Sequence, residues 1–219
     1  MKKIRESSEA EMILEFLKGE INSKRFHKDL CNILSNMNLE ETIINHGDIT
    51  KEQENFQRLN IMKVFRGYPD DELFENFPKI NQWEFAELKE SDIDNIYYID
   101  YDYWNELSNG TSKPVEAAKM IQSGKEIYEV SNQPFLDGVK YIRNHRFPPV
   151  VLITCNREKY LIIEGHSRMT VYGFDPSKLN GTFAYIGYTT EKEMKQYDQR
   201  MLLQEEVKSR KYNTSGQKN

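Results

Sequence analysis

Residues 161–174 read LIIEGHSRMTVYGF and connect an apolar run to a short helical pattern through a polar turn. The run 160–163 has the aromatic and β-branched composition of a buried strand. Gly165 lets the backbone leave that strand with a positive φ or approach another group closely. The first N–H groups of the following helix have no intrahelical partner and lie at its positive dipole end. The stretch therefore predicts a strand–glycine–helix unit whose turn can hold an anion such as phosphate.

Four side chains of this turn are candidates for the same ligand. His166 and Ser167 add donors beside the N–H groups, and Arg168 can hold a phosphate through two parallel hydrogen bonds. Glu164 would repel a phosphate directly, so we interpret it as a ligand of a bridging Mg²⁺ or as a base. A purely structural interpretation also fits, in which Glu164 and Arg168 form a local ion pair, Ser167 caps the helix and His166 lies on the surface.

Patterns on both sides of the turn predict a small mixed sheet with flanking helices. The apolar run 150–153 is expected to pair with 160–163 as a hairpin, and 182–187 is expected to form a further strand. Helices are predicted over 113–121 and from 134 to 146, each with a proline near its first turn.

The segment IYYIDY at residues 96–101 has the aromatic and β-branched composition of a strand. Its tyrosines, with Tyr103 and Trp104, predict a dense ring cluster. The rings around Trp104 could stack on nucleic-acid bases, but an aromatic core beside the sheet is the stronger interpretation. Nearby Asp100, Asp102 and Glu106 disfavour a phosphate backbone at this place.

The first 80 residues are predicted to be helical. Ser8 with Glu11, and Thr50 with Gln53, fit the capping-box pattern at the start of two helices. A third helix between them is indicated by apolar residues at helical spacing over 26–37.

These patterns divide the chain into three expected parts. Residues 1–80 form an N-terminal helical region, and residues 81–190 form the mixed α/β domain. Residues 191–219 form a C-terminal helix with a frayed tail.

Composition excludes several classes of protein. A net charge of −5 and a pI near 5.5 argue against a general nucleic-acid binder. Cys31 and Cys155 form neither a disulfide framework nor a zinc CxxC pattern. Neither cysteine has a cysteine or histidine partner at the spacing of a catalytic site, and His27 is interpreted as a surface residue. No apolar run reaches the roughly 20 residues of a membrane span, and no signal-peptide pattern follows the N-terminus. We expect a cytoplasmic protein with no membrane partner.

The turn resembles the phosphate-binding loop of the ParB/sulfiredoxin superfamily, in which a strand leads through a G-x-x-R core into a helix. The residues at 165–168, Gly-His-Ser-Arg, match that core. The loop is most similar to the Asp-Gly-His-His-Arg form of the ParB-like free-serine kinases, with Glu164 in place of the acid and Ser167 in place of the second histidine. Sulfiredoxins carry their catalytic cysteine at the position of His166, which argues against sulfiredoxin chemistry here. Chromosome-partitioning ParB proteins have a box richer in arginine.

The resemblance covers roughly residues 84–190. The segment 104–114 is similar to the first box of the family, and Lys113 would stand where sulfiredoxins place a basic residue facing the nucleotide. Thr111 could donate its hydroxyl to phosphate, although capping of the next helix is the simpler role. Glu116 is a candidate for the catalytic base that the serine kinases supply from this region.

The resemblance implies a ParB/sulfiredoxin-like domain that binds ATP or another nucleoside triphosphate with Mg²⁺. The implied activity is that of a Mg-dependent NTPase or a phosphotransferase with an unidentified small-molecule or protein acceptor. The expected nucleotide contacts are Gly165, His166, Ser167, Arg168, Lys113 and Thr111. The expected catalytic residues are Glu164, which also holds the metal, His166 and Glu116. Two alternatives stay open: a non-catalytic ParB-like regulator that binds DNA or a partner protein, and a structural scaffold with a degenerate loop.

Overall fold

The computed structural model describes residues 1–23, 25–69 and 74–198. The strands are β1 (Lys2–Ser7), β2 (Gln82–Glu87), β3 (Ile96–Tyr98), β4 (Val150–Thr154), β5 (Tyr160–Glu164) and β6 (Phe183–Tyr188). They form one six-stranded mixed sheet in the order β1-β2-β6-β4-β5-β3. The β1–β2, β2–β6 and β4–β5 pairs are antiparallel, whereas β4–β6 and β3–β5 are parallel.

Helices cover both faces of this sheet. The first group is α1 (Glu9–Ile21), α2 (His27–Asn36), α3 (Thr42–Asn45) and α4 (Glu52–Arg66). The second group is α5 (Asp102–Leu107), α6 (Pro114–Gln122), α7 (Gln133–Tyr141) and α8 (His166–Phe174). A last helix, α9 (Glu191–Tyr197), follows β6.

Each face of the sheet buries its own apolar core, because successive strand residues point to opposite sides. Val151 and Ile153 pack with the buried residues of α1, α2 and α4. Val150 and Leu152 pack with those of α6 and α8 on the other face. The central strands are therefore apolar on both sides, which explains their continuous hydrophobic runs. The expected mixed α/β class is confirmed.

Most predicted elements are present. Ser8 caps α1 by accepting the N–H of Glu11 at 3.2 Å. The α4 helix ends at Gly67 with φ +70°, as its sequence predicts. The predicted hairpin forms as β4 and β5. The helix expected from 134 to 146 is shorter than predicted and ends at Tyr141.

Three local predictions are wrong. The first 80 residues are not wholly helical, since β1 adds an edge strand to β2; its polar sequence KKIRES is exposed and carries no apolar alternation. The aromatic strand expected over residues 96–101 ends at Tyr98. Thr50 does not cap α4, because its hydroxyl and its N–H both donate to Asp48, at 2.7 and 2.9 Å, and Lys51 occupies the N-cap.

The predicted division of the chain at residue 80 separates the two helical groups only in part, because α1 packs on β4 as well as on its own neighbours. The predicted frayed tail, beyond Asp198, lies outside the described residues. Within the described ranges, the helices are all too short or too polar to cross a membrane.

Candidate functional site

Gly165 forms the turn between β5 and α8 with φ +101°, in the left-handed region that favours glycine. A Cβ at this position would lie 2.5 Å from Val150 Cγ1. Both the backbone angle and the close approach to β4 therefore require a glycine here. The predicted strand–glycine–helix geometry is confirmed.

Glu164 and Arg168 flank this glycine and form an ion pair with each other. Each side chain retains only 14% of its exposure. Helix α1 covers the pair, since a Cβ on Gly19 would lie 3.2 Å from Glu164 Oε1. The local ion pair of the structural interpretation is thus present.

Arg168 also holds the entry to β4. Its guanidinium donates hydrogen bonds to the carbonyl oxygens of Pro148 and Pro149, at 2.8 and 2.6 Å. Burial lowers the pKa of Arg168 to about 10, and the nearby carboxylates of Glu15 and Glu20 oppose that decrease. Arg168 is therefore a cation at neutral pH that is surrounded by carboxylates and carbonyls, and this arrangement disfavours a phosphate on its guanidinium.

His166 packs beside the stacked rings of Tyr98 and Trp104, so the surface position that the structural interpretation gave it is wrong. Its imidazole is stacked on Trp104, with ring centroids 5.3 Å apart, and on Tyr98, at 6.0 Å. The Nε2 atom is fully buried and has no hydrogen-bond partner among the described residues. Burial lowers the pKa of His166 to about 3. The imidazole is therefore neutral at physiological pH and brings no positive charge to the loop.

Ser167 is the exposed member of the motif. The N-cap of α8 is Gly165, so Ser167 is not the helix cap that the structural interpretation assigned. It lies in the first turn instead, where backbone N–H groups have no intrahelical partner. Its side chain faces a cavity.

The three upstream candidates have local partners. The Lys113 ammonium lies 5.3 Å from the centre of the Tyr97 ring. Thr111 donates its hydroxyl to the carbonyl of Ser108 at 2.8 Å and accepts the N–H of Lys113 at 3.3 Å. Glu116 accepts from Lys119 at 2.7 Å on the surface. None of these candidates lines the cavity that Ser167 faces.

This cavity has a volume of about 850 Å³, within the range typical of small-molecule sites. The first turn of α8 forms one part of its wall, and aromatic rings form much of the rest. Its polar lining residues are Arg25, Asp102, Ser131, Ser167 and Arg168. Its aromatic lining residues are Tyr101, Tyr103, Trp104, Tyr128, Phe135 and Phe147.

Trp104 belongs both to the core and to the cavity wall. It packs on the buried cluster beneath the sheet, stacks on Tyr98 at 4.7 Å and meets Phe135 edge to face. The aromatic-core interpretation is therefore confirmed, and the same ring is also available to a ligand.

Arg25, Tyr128 and Phe147 were not identified from the sequence. They come from three separate connections, and no motif or spacing marks them. Arg25 in particular belongs to the link between α1 and α2, about 140 residues before the loop. Only the tertiary fold brings these side chains to the first turn of α8.

Comparison with known proteins adds no family assignment: no family model, curated protein or solved structure matches this chain. The ParB/sulfiredoxin resemblance stays a prediction that depends on the loop and its flanking segments.

Proposed function

We propose that this chain is a nucleotide-binding protein with a ParB/sulfiredoxin-like domain, and that it holds its ligand in the cavity beside the first turn of α8. One observation carries the proposal: a single cavity is lined by Ser167 in the first turn of α8, by Arg25 and by a wall of aromatic rings. A nucleotide has the matching parts, since it joins an anionic phosphate to a flat heteroaromatic base.

The phosphate would lie at the start of α8. The free backbone N–H groups and the helix dipole favour an anion there, and the Ser167 hydroxyl adds a donor. Arg25 supplies the positive charge, because Arg168 is committed to Glu164 and two carbonyls. The phosphate would thus lie at the predicted loop, with its charged contact from Arg25 and not from the predicted Arg168.

The base would stack on the aromatic wall. Trp104 and Tyr103 are half-buried and fixed by their packing, whereas Tyr128 is 65% exposed and borders the opening. Stacking on such rings contributes about 1–3 kcal/mol per base. The carboxylate of Asp102 can accept hydrogen bonds from an amino group of the base or from ribose hydroxyls.

The geometry favours binding over phosphate transfer. Both glutamates expected to act in catalysis are paired with cations, Glu164 with Arg168 and Glu116 with Lys119. Glu164 does not fit a Mg²⁺ ion in this arrangement, because its carboxylate already faces a guanidinium under α1. We therefore propose a ligand-binding module and derive no metal-dependent step.

Isothermal titration of ATP, CTP, GTP and ADP, with and without Mg²⁺, tests the proposal. Ser167→Asp places a negative charge at the phosphate position while remaining favourable for the helix start. It should weaken binding more than about tenfold, which corresponds to 1.4 kcal/mol. Arg25→Ala should weaken binding similarly, whereas Lys28→Ala, an exposed cation three residues further on, should not.

Two results would refute this proposal. One is the absence of heat and of thermal stabilisation with every nucleotide in folded protein. The other is nucleotide binding that Ser167→Asp and Arg25→Ala leave unchanged, since the ligand would then occupy a different place.

A second candidate function is DNA binding by a regulatory module. One observation supports it: Arg143, His145, Arg146 and Lys178 line a separate cleft of about 510 Å³ in an otherwise acidic chain. Duplex binding that weakens steeply with salt and is lost in Arg143→Ala/Arg146→Ala would favour this alternative.

A further inference from the structure

Three metal-ligating side chains meet at the corner formed by α2 and the start of α3. His27 and Cys31 are one helical turn apart on α2, and Glu41 precedes α3. The candidate ligand atoms of the three residues all lie within 4.8 Å of one another. None of the three residues lines the cavity described above.

The distances from the sulfur to one histidine nitrogen and to one carboxylate oxygen are those of a tetrahedral zinc site. Zn–S and Zn–N bonds of about 2.3 and 2.05 Å at the tetrahedral angle place sulfur and nitrogen about 3.6 Å apart. Cys31 Sγ lies 3.6 Å from His27 Nε2. It lies 3.3 Å from Glu41 Oε1, close to the roughly 3.6 Å that the same bond lengths give for sulfur and a carboxylate oxygen.

The histidine has the tautomer that metal binding through Nε2 requires. His27 Nδ1 lies 2.8 Å from the carbonyl oxygen of Ile21, which accepts a hydrogen bond from the protonated nitrogen. That bond selects the tautomer in which Nε2 carries a lone pair. Cys31 Sγ lies 3.6 Å from Nε2 and 3.9 Å from Nδ1, so the thiol side chain has to rotate toward the Nε2 lone pair when a metal binds. A backbone carbonyl on the distal nitrogen is the usual outer-shell partner of a zinc-bound histidine.

Among the described residues, the negative charge of Glu41 is not neutralised by a basic side chain, so it can attract a metal cation. In the described ranges of the chain, neither lysine nor arginine forms an ion pair with Glu41. The second carboxylate oxygen of Glu41 accepts a hydrogen bond from the Asn45 amide at 3.4 Å. His27 and Glu41 are exposed and Cys31 is half-buried, so an ion can enter from solvent.

We propose that His27, Cys31 and Glu41 bind a zinc-class divalent cation, with water at the fourth position. Binding displaces the thiol proton to solvent and leaves a thiolate, an imidazole and a carboxylate on the metal. A nitrogen–sulfur–oxygen donor set suits Zn²⁺ and Co²⁺, whereas Mg²⁺ prefers oxygen ligands alone. The ion would link α2 to the start of α3 and, through His27, to the end of α1.

Cobalt titration of the full chain tests the site. Chelator-treated, reduced protein is titrated with Co²⁺ while the thiolate-to-cobalt charge-transfer absorption is recorded, and Zn²⁺ is then added to displace the cobalt. The wild type should develop the absorption and lose it to Zn²⁺ but not to Mg²⁺. Cys31→Ser should abolish it. His27→Gln and Glu41→Gln should each weaken Zn²⁺ binding at least tenfold, since loss of even an outer-shell partner of a metal ligand costs about 10–100-fold in affinity.

Matched controls make every outcome decisive. Cys155→Ser removes the other cysteine and Glu40→Gln the neighbouring acid, and both should bind metal like the wild type. Circular dichroism establishes that each variant is folded. The proposal is overturned if folded wild type shows no charge-transfer absorption, if Cys31→Ser retains it, or if His27→Gln and Glu41→Gln bind Zn²⁺ as tightly as Glu40→Gln.

Discussion

The turn at Gly165 should be sensitive to a single methyl group. Alanine at this position must adopt a φ of +101° and bring its Cβ to 2.5 Å from Val150 Cγ1. The left-handed backbone costs about 1–2 kcal/mol for a residue with a side chain. Overpacking against a buried valine costs roughly 1–3 kcal/mol more, for a total of about 2–5 kcal/mol. For a chain of this size that corresponds to a decrease in Tm of about 4–20 °C.

Gly124→Ala separates the two contributions. Gly124 has a similar φ of +85°, but a Cβ there would meet no atom within 4 Å. Its substitution should cost only the backbone contribution of about 1–2 kcal/mol. The free energy of unfolding can be followed in denaturant by the fluorescence of Trp83 and Trp104.

A double-mutant cycle then identifies the contact. Val150→Ala removes the Cγ1 atom that a Cβ at residue 165 would meet, so Gly165→Ala should be less costly in that background, with a coupling of about 0.5–3 kcal/mol. The reasoning is refuted if Gly165→Ala costs no more than Gly124→Ala. It is also refuted if Val150→Ala leaves the cost of Gly165→Ala unchanged.

Two further predictions concern the polar residues of the loop. Arg168→Met leaves Glu164 buried without its cation and should reduce the free energy of unfolding by about 3–5 kcal/mol. Adding Glu164→Gln to this variant should restore part of that free energy. If the double variant is as unstable as Arg168→Met alone, the ion pair between Glu164 and Arg168 is contradicted. The second prediction concerns pH. The pKa of folded His166 is about 3, below its ordinary value of 6.5, so the unfolded chain binds more protons between these values and stability rises with pH across that window. Between about pH 4 and pH 7, the free energy of unfolding of the wild type should therefore rise with pH more steeply than that of His166→Phe, by up to about 1.4 kcal/mol per pH unit. Equal slopes for the two proteins would show that the imidazole titrates normally.

Local elements were predictable where one short segment contains the whole signal. The hairpin of β4 and β5 has two apolar runs around a polar turn, and α6 has a proline in its first turn followed by an apolar face. The glycine turn was predictable for the same reason, because positive φ at a strand exit is a property of one residue. Strand β1 was not, because its polar residues form an edge strand only through hydrogen bonds to β2, about 80 residues away.

The candidate site was predictable only in outline. The sequence indicated that Ser167 and Arg168 lie in the first turn of a helix. It did not decide whether the partner of Arg168 is a phosphate or a carboxylate. The choice depends on α1, which covers Glu164 and adds Glu15 and Glu20 nearby. Likewise, His166 is neutral because it is buried beside Trp104 and Tyr98, and no spacing in the sequence indicates ring packing of this kind.

The cluster of His27, Cys31 and Glu41 was also predictable only in part. His27 and Cys31 are four residues apart on a predicted helix, so their proximity could have been read from the sequence. Glu41 joins them only because the chain turns back between α2 and α3.

By itself, the sequence determined the strand–glycine–helix unit, the mixed α/β class and the separate helices, because backbone preference and hydrophobic periodicity act over a few residues. Tertiary structure alone decided which charges are neutralised, which histidine is buried and that Arg25 shares a cavity with Ser167. Those properties depend on solvent exclusion and on distances between segments far apart in the chain, and both arise only when the helices have packed on the sheet.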